Sequence, residues 1–317
     1  MFSLIKKIQE LLNSLKRNKG LFFTVLSILS ISGIALFMFL IMTMTSRIEK
    51  DVHDSISNNN IKSLEILLQS KKNHYKQLAN TVLSEDNIIN YIKSNEKEQI
   101  QLYEKKYNNL YKIGQNYPIE IKFYPILDKD ANFRDTITNL LRNKSELFGV
   151  ETQRDGVFIV YIKPILSDGN FIGLLEMKQS VHNLKVNYNL NDSFFMFIMD
   201  KKMLVKLSLK SKSGKFKNVV SNYIVKKGVY SSRFYSKMTE IDDKAFKASL
   251  KNTYDNDDKF FRSYTVVTDI NGVEIGLFVF GDYIEKNNGF VSLADKMVKS
   301  VTYVSLGLVV SILLFMF

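Results

Sequence analysis

The stretch FIVYIKPILSDGNFIGLLEM occupies residues 158–177, and the stretch FRSYTVVTDINGVEIGLFVF occupies residues 261–280. The two align without a gap, and the matching positions are Phe158 with Phe261, Tyr161 with Tyr264, Asp168-Gly169 with Asn271-Gly272, and Gly173 with Gly276. Each copy predicts a β-hairpin, because β-branched and aromatic runs form strands and an Asp-Gly or Asn-Gly pair supplies the positive φ angles of a tight turn. One supersecondary unit is therefore predicted to occur twice.

An uncharged apolar segment, Leu21 to Thr45, precedes the repeated unit. At a rise of about 1.5 Å per residue, a helix of this length exceeds the roughly 30 Å hydrocarbon core of a bilayer. The flank before it is basic, with Lys6, Lys7, Lys16, Arg17 and Lys19 against the single acidic residue Glu10. The positive-inside rule therefore predicts that residues 1–20 are cytoplasmic, that residues 21–45 cross the membrane, and that the following chain is outside. A cleaved signal peptide is the competing interpretation; the length of the apolar run and the lack of a small-residue cleavage site disfavour it.

A second apolar segment, Val301 to Phe317, follows Lys296 and Lys299 at the end of the sequence. It predicts a second, truncated transmembrane helix at residues 299–317, so that the chain would be the N-terminal part of a longer receptor. The absence of cysteine excludes disulfides and thiolate metal sites. The net charge of +12 is scattered along the chain, which argues against nucleic-acid binding.

Residues 46–118 show helical periodicity. Apolar residues recur at three- or four-residue steps at Ile48, Val52, Ile56, Leu64, Leu67, Tyr75, Leu78 and Val82. This pattern predicts a long stalk helix continuous with the membrane helix, a break at residues 84–87, and one further helix that runs to Gly114. Polar gaps near Asn59 and Asn60 predict a marginal seam between two subunits, and hence a homodimer; an intramolecular core stripe is the alternative from Leu64 onward.

Beyond Pro118 the apolar period changes to two, which predicts a first strand followed by a short helix around residues 140–147 and then the first hairpin. Further strands are predicted at residues 194–199 and 203–209, and a short helix at residues 245–250. The predicted fold class is α+β: a long N-terminal helix followed by two tandem antiparallel-sheet modules. The first, membrane-distal module would span residues 119–185, and the second, membrane-proximal module would span residues 186–298.

Four segments carry a family resemblance: IKFYP (121–125), the pair Phe133-Arg134, GVETQRDG (149–156) and PILSDGNFIGLLEM (164–177). In this order between two apolar segments, they resemble the double Cache sensor of bacterial transmembrane chemoreceptors and sensor kinases. The resemblance implies two tandem PAS-like modules with a small-molecule pocket in the membrane-distal one. This chain departs from the pattern at Val160, where related sensors often carry an arginine.

The resemblance implies the ligand-sensing part of a transmembrane receptor in the inner membrane, with its sensor domain periplasmic or extracellular. A chemoreceptor of the methyl-accepting type is the expected output. A histidine kinase or a diguanylate cyclase is the alternative output. A membrane-anchored protein that binds a partner protein is the alternative from another functional class.

A candidate pocket lies along the strand that begins at Val157. One face of this strand carries Tyr161 and Lys163 among apolar residues, because side chains alternate along a strand. The predicted ligand-binding residues are Phe123, Tyr124, Arg134, Arg154, Tyr161 and Lys163. Such a site would hold a small ligand with a carboxylate, such as an organic acid or an amino acid. The alternative is that both cations are solvated and Tyr161 is part of the core.

The sequence contains no catalytic motif: it lacks a Gly-x-Ser-x-Gly elbow, a His-Glu-x-x-His pair and a phosphate-binding glycine-rich loop. No enzymatic activity and no cofactor are therefore expected. The carboxylate pairs Glu151 with Asp155, and Asp242 with Asp243, are interpreted as exposed loop charges. No metal site is expected, because the three histidines, His53, His74 and His182, share no ligand spacing.

Overall fold

The computed structural model describes residues 19–112, 117–128, 134–189, 193–284, 296–297, 299–307 and 310. The chain forms two compact units, one made of Met1–Ser55 with Glu285–Phe317 and the other of Ile56–Ile284. Helix α1 (Lys19–Leu83) contributes residues to both units. Both β-sheets belong to the second unit.

The N-terminal part of α1 carries the predicted membrane span. Its most apolar window has a mean hydropathy of 1.7, and among the described residues α1 alone is long and apolar enough to cross a membrane. Within the predicted second span, residues 299–307 and 310 are helical, whereas residues 308–309 and 311–317 lie outside the described part of the chain. The structure therefore supports one candidate span by length and composition.

Two helices, not the single one predicted, follow α1. They are α2 (Asp86–Ser94) and α3 (Lys97–Leu110). Asn95 separates them, because its backbone adopts a left-handed conformation (φ +55°) and its N–H bonds to the carbonyl of Ile92. The predicted end of this region, Gly114, lies outside the described residues.

The first sheet contains four antiparallel strands in the order β1-β4-β3-β2. Its elements are β1 (Glu120–Pro125), α4 (Asp135–Asn143), β2 (Leu147–Gln153), β3 (Gly156–Ser167) and β4 (Asn170–Ser180). Helix α4 begins and ends earlier than the sequence predicted. Lys144 ends it in a left-handed conformation (φ +53°), and Leu147 already belongs to β2.

The second sheet contains six antiparallel strands in the order β6-β7-β5-β10-β9-β8. Its strands are β5 (Phe194–Asp200), β6 (Phe216–Val220), β7 (Tyr223–Lys226), β8 (Tyr254–Asn256), β9 (Phe260–Thr268) and β10 (Glu274–Tyr283). The helices around it are α5 (Leu184–Asn189), α6 (Leu209–Lys212), α7 (Ser232–Thr239) and α8 (Asp243–Asn252), with 3₁₀ turns at Val181–Asn183 and Lys201–Lys206. The predicted fold class, a long N-terminal helix with two antiparallel sheets, is confirmed.

The strand predicted at residues 203–209 is wrong, because most of it lies in the 3₁₀ turn that follows β5. Asp200 starts this turn: its carboxylate accepts the backbone N–H of Lys202 at 2.9 Å and so competes with continuation of the strand. The predicted short helix at residues 245–250 is confirmed within α8.

Both predicted hairpins form, as β3–β4 and β9–β10. In each, the glycine of the repeat lies close to a neighbouring strand. A Cβ atom at Gly173 would lie 2.5 Å from the carbonyl oxygen of Tyr124, and one at Gly276 would overlap the carbonyl oxygen of Ile198. The two glycines therefore occupy equivalent positions in the two sheets.

The turns of the two hairpins differ. Asp168 (φ +51°) and Gly169 (φ +76°) form a two-residue turn in the first hairpin. In the second, Asp269 closes a longer loop by donating its N–H to the carbonyl of Val273 at 2.8 Å. The register of β9 is consequently shifted by one residue relative to β3.

This shift changes the position of the repeated tyrosine. Tyr161 pairs with Met177, and Tyr264 pairs with Val279. In the alignment of the two copies, Val279 lies one residue before the position that matches Met177. A shift of one residue moves a side chain to the other face of a sheet. Tyr161 and Tyr264 are therefore both core residues, but they belong to different core clusters.

Candidate ligand-binding site

The two faces of the first sheet have different neighbours. One face packs against the helices α1, α2 and α3, and its buried side chains include Ile121, Phe123, Val157, Ile159, Tyr161, Ile165, Leu175 and Met177. The opposite face packs against α4, whose Ile137 and Leu140 contact Tyr124, Ile162 and Leu174. A group of buried polar side chains lies on this opposite face, next to the first turn of α4.

Arg134, the residue immediately before α4, is at the centre of this group. Its Nε lies 3.0 Å from Oε1 and 3.2 Å from Oε2 of Glu151. Its Nη1 lies 3.2 Å from Oε2 of Glu176, and Nη2 contacts the other oxygen of the same carboxylate. Only 4% of Glu151 and 1% of Glu176 are exposed, whereas 27% of the Arg134 side chain is exposed. Both carboxylates are therefore buried, and the arginine is the member of the ion pairs that contacts solvent.

Three further side chains complete what we call the Arg134 cluster. The Tyr124 hydroxyl donates to Oε2 of Glu176 at 2.7 Å, and the Thr136 hydroxyl donates to Oε1 of Glu151 at 2.6 Å. The Gln153 amide nitrogen lies 2.7 Å from Glu151 and 3.1 Å from Glu176. Burial, together with the charge of Glu176, raises the pKa of Tyr124 well above its ordinary value, so the phenol stays a donor.

The Arg134 cluster carries two carboxylates and one guanidinium, an excess of one negative charge. Lys178 is the neighbouring cation: its ammonium donates to the Gln153 side-chain oxygen of the cluster at 3.2 Å, and it lies 3.0 Å from Asp155 and 3.2 Å from Glu120. Its charge is therefore shared with two exposed carboxylates outside the cluster. Because burying an unbalanced charge is costly, the cluster favours a cationic group as a further partner.

The structure brings together two of the six predicted site residues, Tyr124 and Arg134. Phe123 and Tyr161 lie in the core on the helix-packed face, and on that side the Lys163 ammonium contacts the Asn80 side chain of α1. Strand alternation explains the separation of adjacent Phe123 and Tyr124 onto opposite faces.

Arg154 is also outside the cluster. It lies exposed in the β2–β3 turn, where its carbonyl accepts the N–H of Ser208 at 2.8 Å. The structure therefore does not bring the six predicted residues together at one place. Phe133, which precedes Arg134, lies outside the described residues.

Glu151, Gln153 and Glu176 were not predicted as site residues from the sequence. The interpretation of Glu151 as an exposed loop charge is wrong, because Glu151 is buried within β2. Two signals were available. Glu151 and Gln153 are two residues apart, so they share one face of a strand, and Glu176 interrupts an otherwise apolar strand, where a charged residue is seldom buried without a partner.

The second sheet holds a comparable cluster around Arg262. Its Nε lies 2.5 Å from Asp255 and its Nη1 lies 2.5 Å from Asp257. The side chains of these two aspartates are 17% and 22% exposed. Asp257 also accepts the backbone N–H groups of Lys259 and Phe260. Its carboxylates are thus more solvated than those of the Arg134 cluster, which makes the Arg262 cluster a useful control.

No protein-family model and no curated protein matches the chain. Among solved structures, it is similar to a domain of a sensory box/GGDEF family protein from Vibrio parahaemolyticus (TM-score 0.44, 10% identity, covering 75% of this chain and 99% of that chain). It is also similar to the sensor domain of the Vibrio cholerae histidine kinase DctB (0.39, 10%, 74% and 98%). A third is the sensory domain of the Campylobacter jejuni chemoreceptor Tlp3 with isoleucine bound (0.35, 16%, 79% and 97%). At these scores and identities, the likeness does not decide the function, which depends on the site itself.

Proposed function

We propose that the chain is the ligand-sensing, extracytoplasmic part of a membrane receptor and that the Arg134 cluster is its binding site. The observation that carries this proposal is the pair of almost fully buried glutamates, Glu151 and Glu176, which share one arginine. Buried ion pairs are a poor source of stability, because desolvation offsets most of their attraction. A buried polar cluster that adds little to the stability of the fold is better explained by a role in binding a ligand.

The charge of the cluster indicates the class of ligand. A ligand with an ammonium group would neutralise the excess carboxylate, and Tyr124 and Gln153 would orient it. The ligand is therefore a small amine or an amino acid. An organic acid without an amine, which the sequence also suggested, is disfavoured because Arg154 and Lys163 lie elsewhere.

The experiment is a thermal-shift and calorimetric screen of the full chain in detergent micelles, with amines and amino acids and their N-acetylated analogues. N-acetylation removes the positive charge and leaves most of the ligand unchanged. We expect binding of at least one charged ligand and none of its acetylated analogue. Glu176→Gln should weaken that binding roughly tenfold or more, because it removes a buried charge partner.

The matched control is Asp255→Asn. It also removes a carboxylate from a buried arginine, but in the second sheet, and it should leave the affinity unchanged. Lys226→Ala, which removes a cation remote from the cluster, should do the same. Equal affinity of the parent and Glu176→Gln, or equal binding of the acetylated ligand, would contradict the assignment.

We propose further that α1 anchors this sensor in the inner membrane and that the receptor is a homodimer. The predicted subunit seam near Asn60 needs correction, because the amide of Asn60 donates to the Ser263 hydroxyl at 3.2 Å within the same chain. From Leu64 onward the inner stripe of α1 is also intramolecular core. The outer face of α1 instead offers Ile66, which is 62% exposed, beside a shallow groove that includes Asn73. This face supports a helix pairing between two subunits.

A further inference from the structure

A cavity of about 90 Å³ lies between the two sheets, and none of its lining residues belongs to the Arg134 cluster. One wall is the end of the first hairpin region, with Phe158, and the other is the second sheet, with Phe197 and Phe216. The walls are tied together where the carbonyl of Arg154 accepts the N–H of Ser208 at 2.8 Å. The cavity is therefore part of the packed unit.

His182 lines this cavity. The residue is 8% exposed, and its ring packs near the rings of Tyr117 and Phe197, at 6.5 Å and 6.3 Å between centroids. The imidazole is therefore a polar group within the aromatic part of the cavity wall.

The protonation state of His182 follows from its surroundings. Burial lowers its pKa to about 3, and the positive charges of Lys226 and Lys185 act in the same direction. The ring is consequently neutral near pH 7, and a neutral imidazole offers one N–H donor and one acceptor.

Other donors also line the cavity. Lys226 has no carboxylate within ion-pair distance among the described residues, and Asp155 at the rim is already paired with Lys178 at 3.0 Å. The Ser211 oxygen accepts the Ser208 hydroxyl at 2.9 Å, which leaves the hydroxyl hydrogen of Ser211 available. The groups of the cavity that can donate to a ligand thus include one cation and two neutral donors, within aromatic walls. This combination suits an anion with a short apolar part.

We infer that this cavity is a second small-molecule site, specific for a short-chain monocarboxylate. Its volume of about 90 Å³ limits the ligand to a small molecule such as a short-chain acid. The carboxylate would lie against the Lys226 ammonium and the Ser211 and His182 donors, and the alkyl part against Phe158 and Phe197. A ligand held there contacts both sheets, so it would stabilise their docking.

The test is calorimetric titration of the full chain in detergent with acetate, propionate and butyrate, using ethylamine as the probe of opposite charge. We expect at least one of the three acids to bind and to raise the melting temperature. Lys226→Gln should weaken this binding about tenfold or more, and it should fold normally because Lys226 is exposed. Lys210→Gln is the matched control: it removes an exposed cation from the adjacent α6 without touching the cavity, and should bind as the parent does.

Two results would overturn the inference: no binding by any of the three acids, or equal affinity in the parent and Lys226→Gln. Ser211→Leu gives an independent check, because it fills the cavity and should abolish acid binding. The outcome is separable from that of the Arg134 cluster. Glu176→Gln should retain acid binding, whereas Lys226→Gln should retain amine binding.

Discussion

His182 is a residue whose titration is controlled by burial. Its pKa is lowered from 6.5 to about 3 in the folded protein, first by burial and then by Lys226 and Lys185. Between these two values, the unfolded chain binds a proton that the folded chain does not. The free energy of unfolding therefore has its full value above pH 6.5 and decreases as the pH falls from 6.5 towards about 3.

We expect this decline to be visible in the free energy of unfolding of the full chain, measured with urea between pH 7.5 and pH 4.5. The His182 contribution is about 1.4 kcal/mol for each pH unit below 6.5. His182→Gln should reduce the slope by about that amount. His74→Gln should reduce the slope less than His182→Gln does, because His74 is exposed and its pKa is lowered only by partial burial and by Lys71. Identical slopes for the parent and His182→Gln would show that the imidazole is protonated in the folded state.

At the scale of elements, the hairpins show what local sequence can predict. The Asp-Gly and Asn-Gly pairs predicted both turns, but the register of the second depends on Asp269. Its carboxylate accepts the N–H groups of Asn271 at 2.9 Å and Val273 at 3.1 Å, and it pairs with Lys206 at 3.3 Å. The neighbouring Ile270 N–H bonds to the carbonyl of Val150 in the first sheet. The contacts with Lys206 and Val150 are long-range, and no local pattern reveals them.

The register shift also affects how the two sheets compare. Val160 pairs with Lys178, which lies five residues after Gly173 of β4. Arg262 pairs with Gly281, which lies five residues after Gly276, the equivalent glycine of β10. Arg262 therefore occupies in the second sheet the place of Val160 in the first. The arginine absent from the first sheet is present in the second, where Asp255 and Asp257 bind it. A gap-free alignment instead matches Arg262 with Ile159, so it conceals this equivalence.

The candidate site was predictable only in part for a similar reason. Tyr124, Arg134, Glu151 and Glu176 all lie within segments that carry the family resemblance, but only Tyr124 and Arg134 were predicted as site residues. Glu151 and Glu176 come from β2 and β4, which are not adjacent, and both carboxylates reach the same guanidinium only when the strand order is β1-β4-β3-β2. Sheet order is a long-range property, so local periodicity does not contain it.

The repeated glycines give a prediction at this scale. Gly173→Ala and Gly276→Ala should each lower the free energy of unfolding by about 1 to 3 kcal/mol, because the added methyl group meets the backbone of a paired strand. Gly33→Ala is the control, since no atom lies within 4 Å of its added methyl group. Urea denaturation measures all three. If Gly173→Ala and Gly276→Ala both had the same free energy of unfolding as the parent, the paired strands would be able to move apart at no cost in free energy.

At the scale of the whole molecule, the receptor proposal requires an orientation in the membrane and a partner subunit. The chain contains no cysteine, so introduced single cysteines report without background. In intact cells, we expect Asn170→Cys to react with a membrane-impermeant maleimide and Lys19→Cys to be protected. The physical reason is the basic flank before the α1 apolar segment, which favours a cytoplasmic N-terminus.

The same cysteine-free chain tests the subunit contact. Ile66→Cys should form a disulfide-linked dimer on mild oxidation in membranes, because Ile66 is an exposed apolar residue on the outer face of α1. Ser57→Cys is the control: Ser57 is buried against Thr253 in its own chain, at 3.1 Å from its carbonyl oxygen, so it should remain uncrosslinked. Addition of a ligand that binds the Arg134 cluster should change the crosslinking rate, since receptor helices shift by about 1 to 2 Å between states. Labelling of Lys19→Cys from outside would reverse the orientation, and a lack of crosslinking at Asn59, Ile66 and Asn73 alike would exclude this face as the dimer contact.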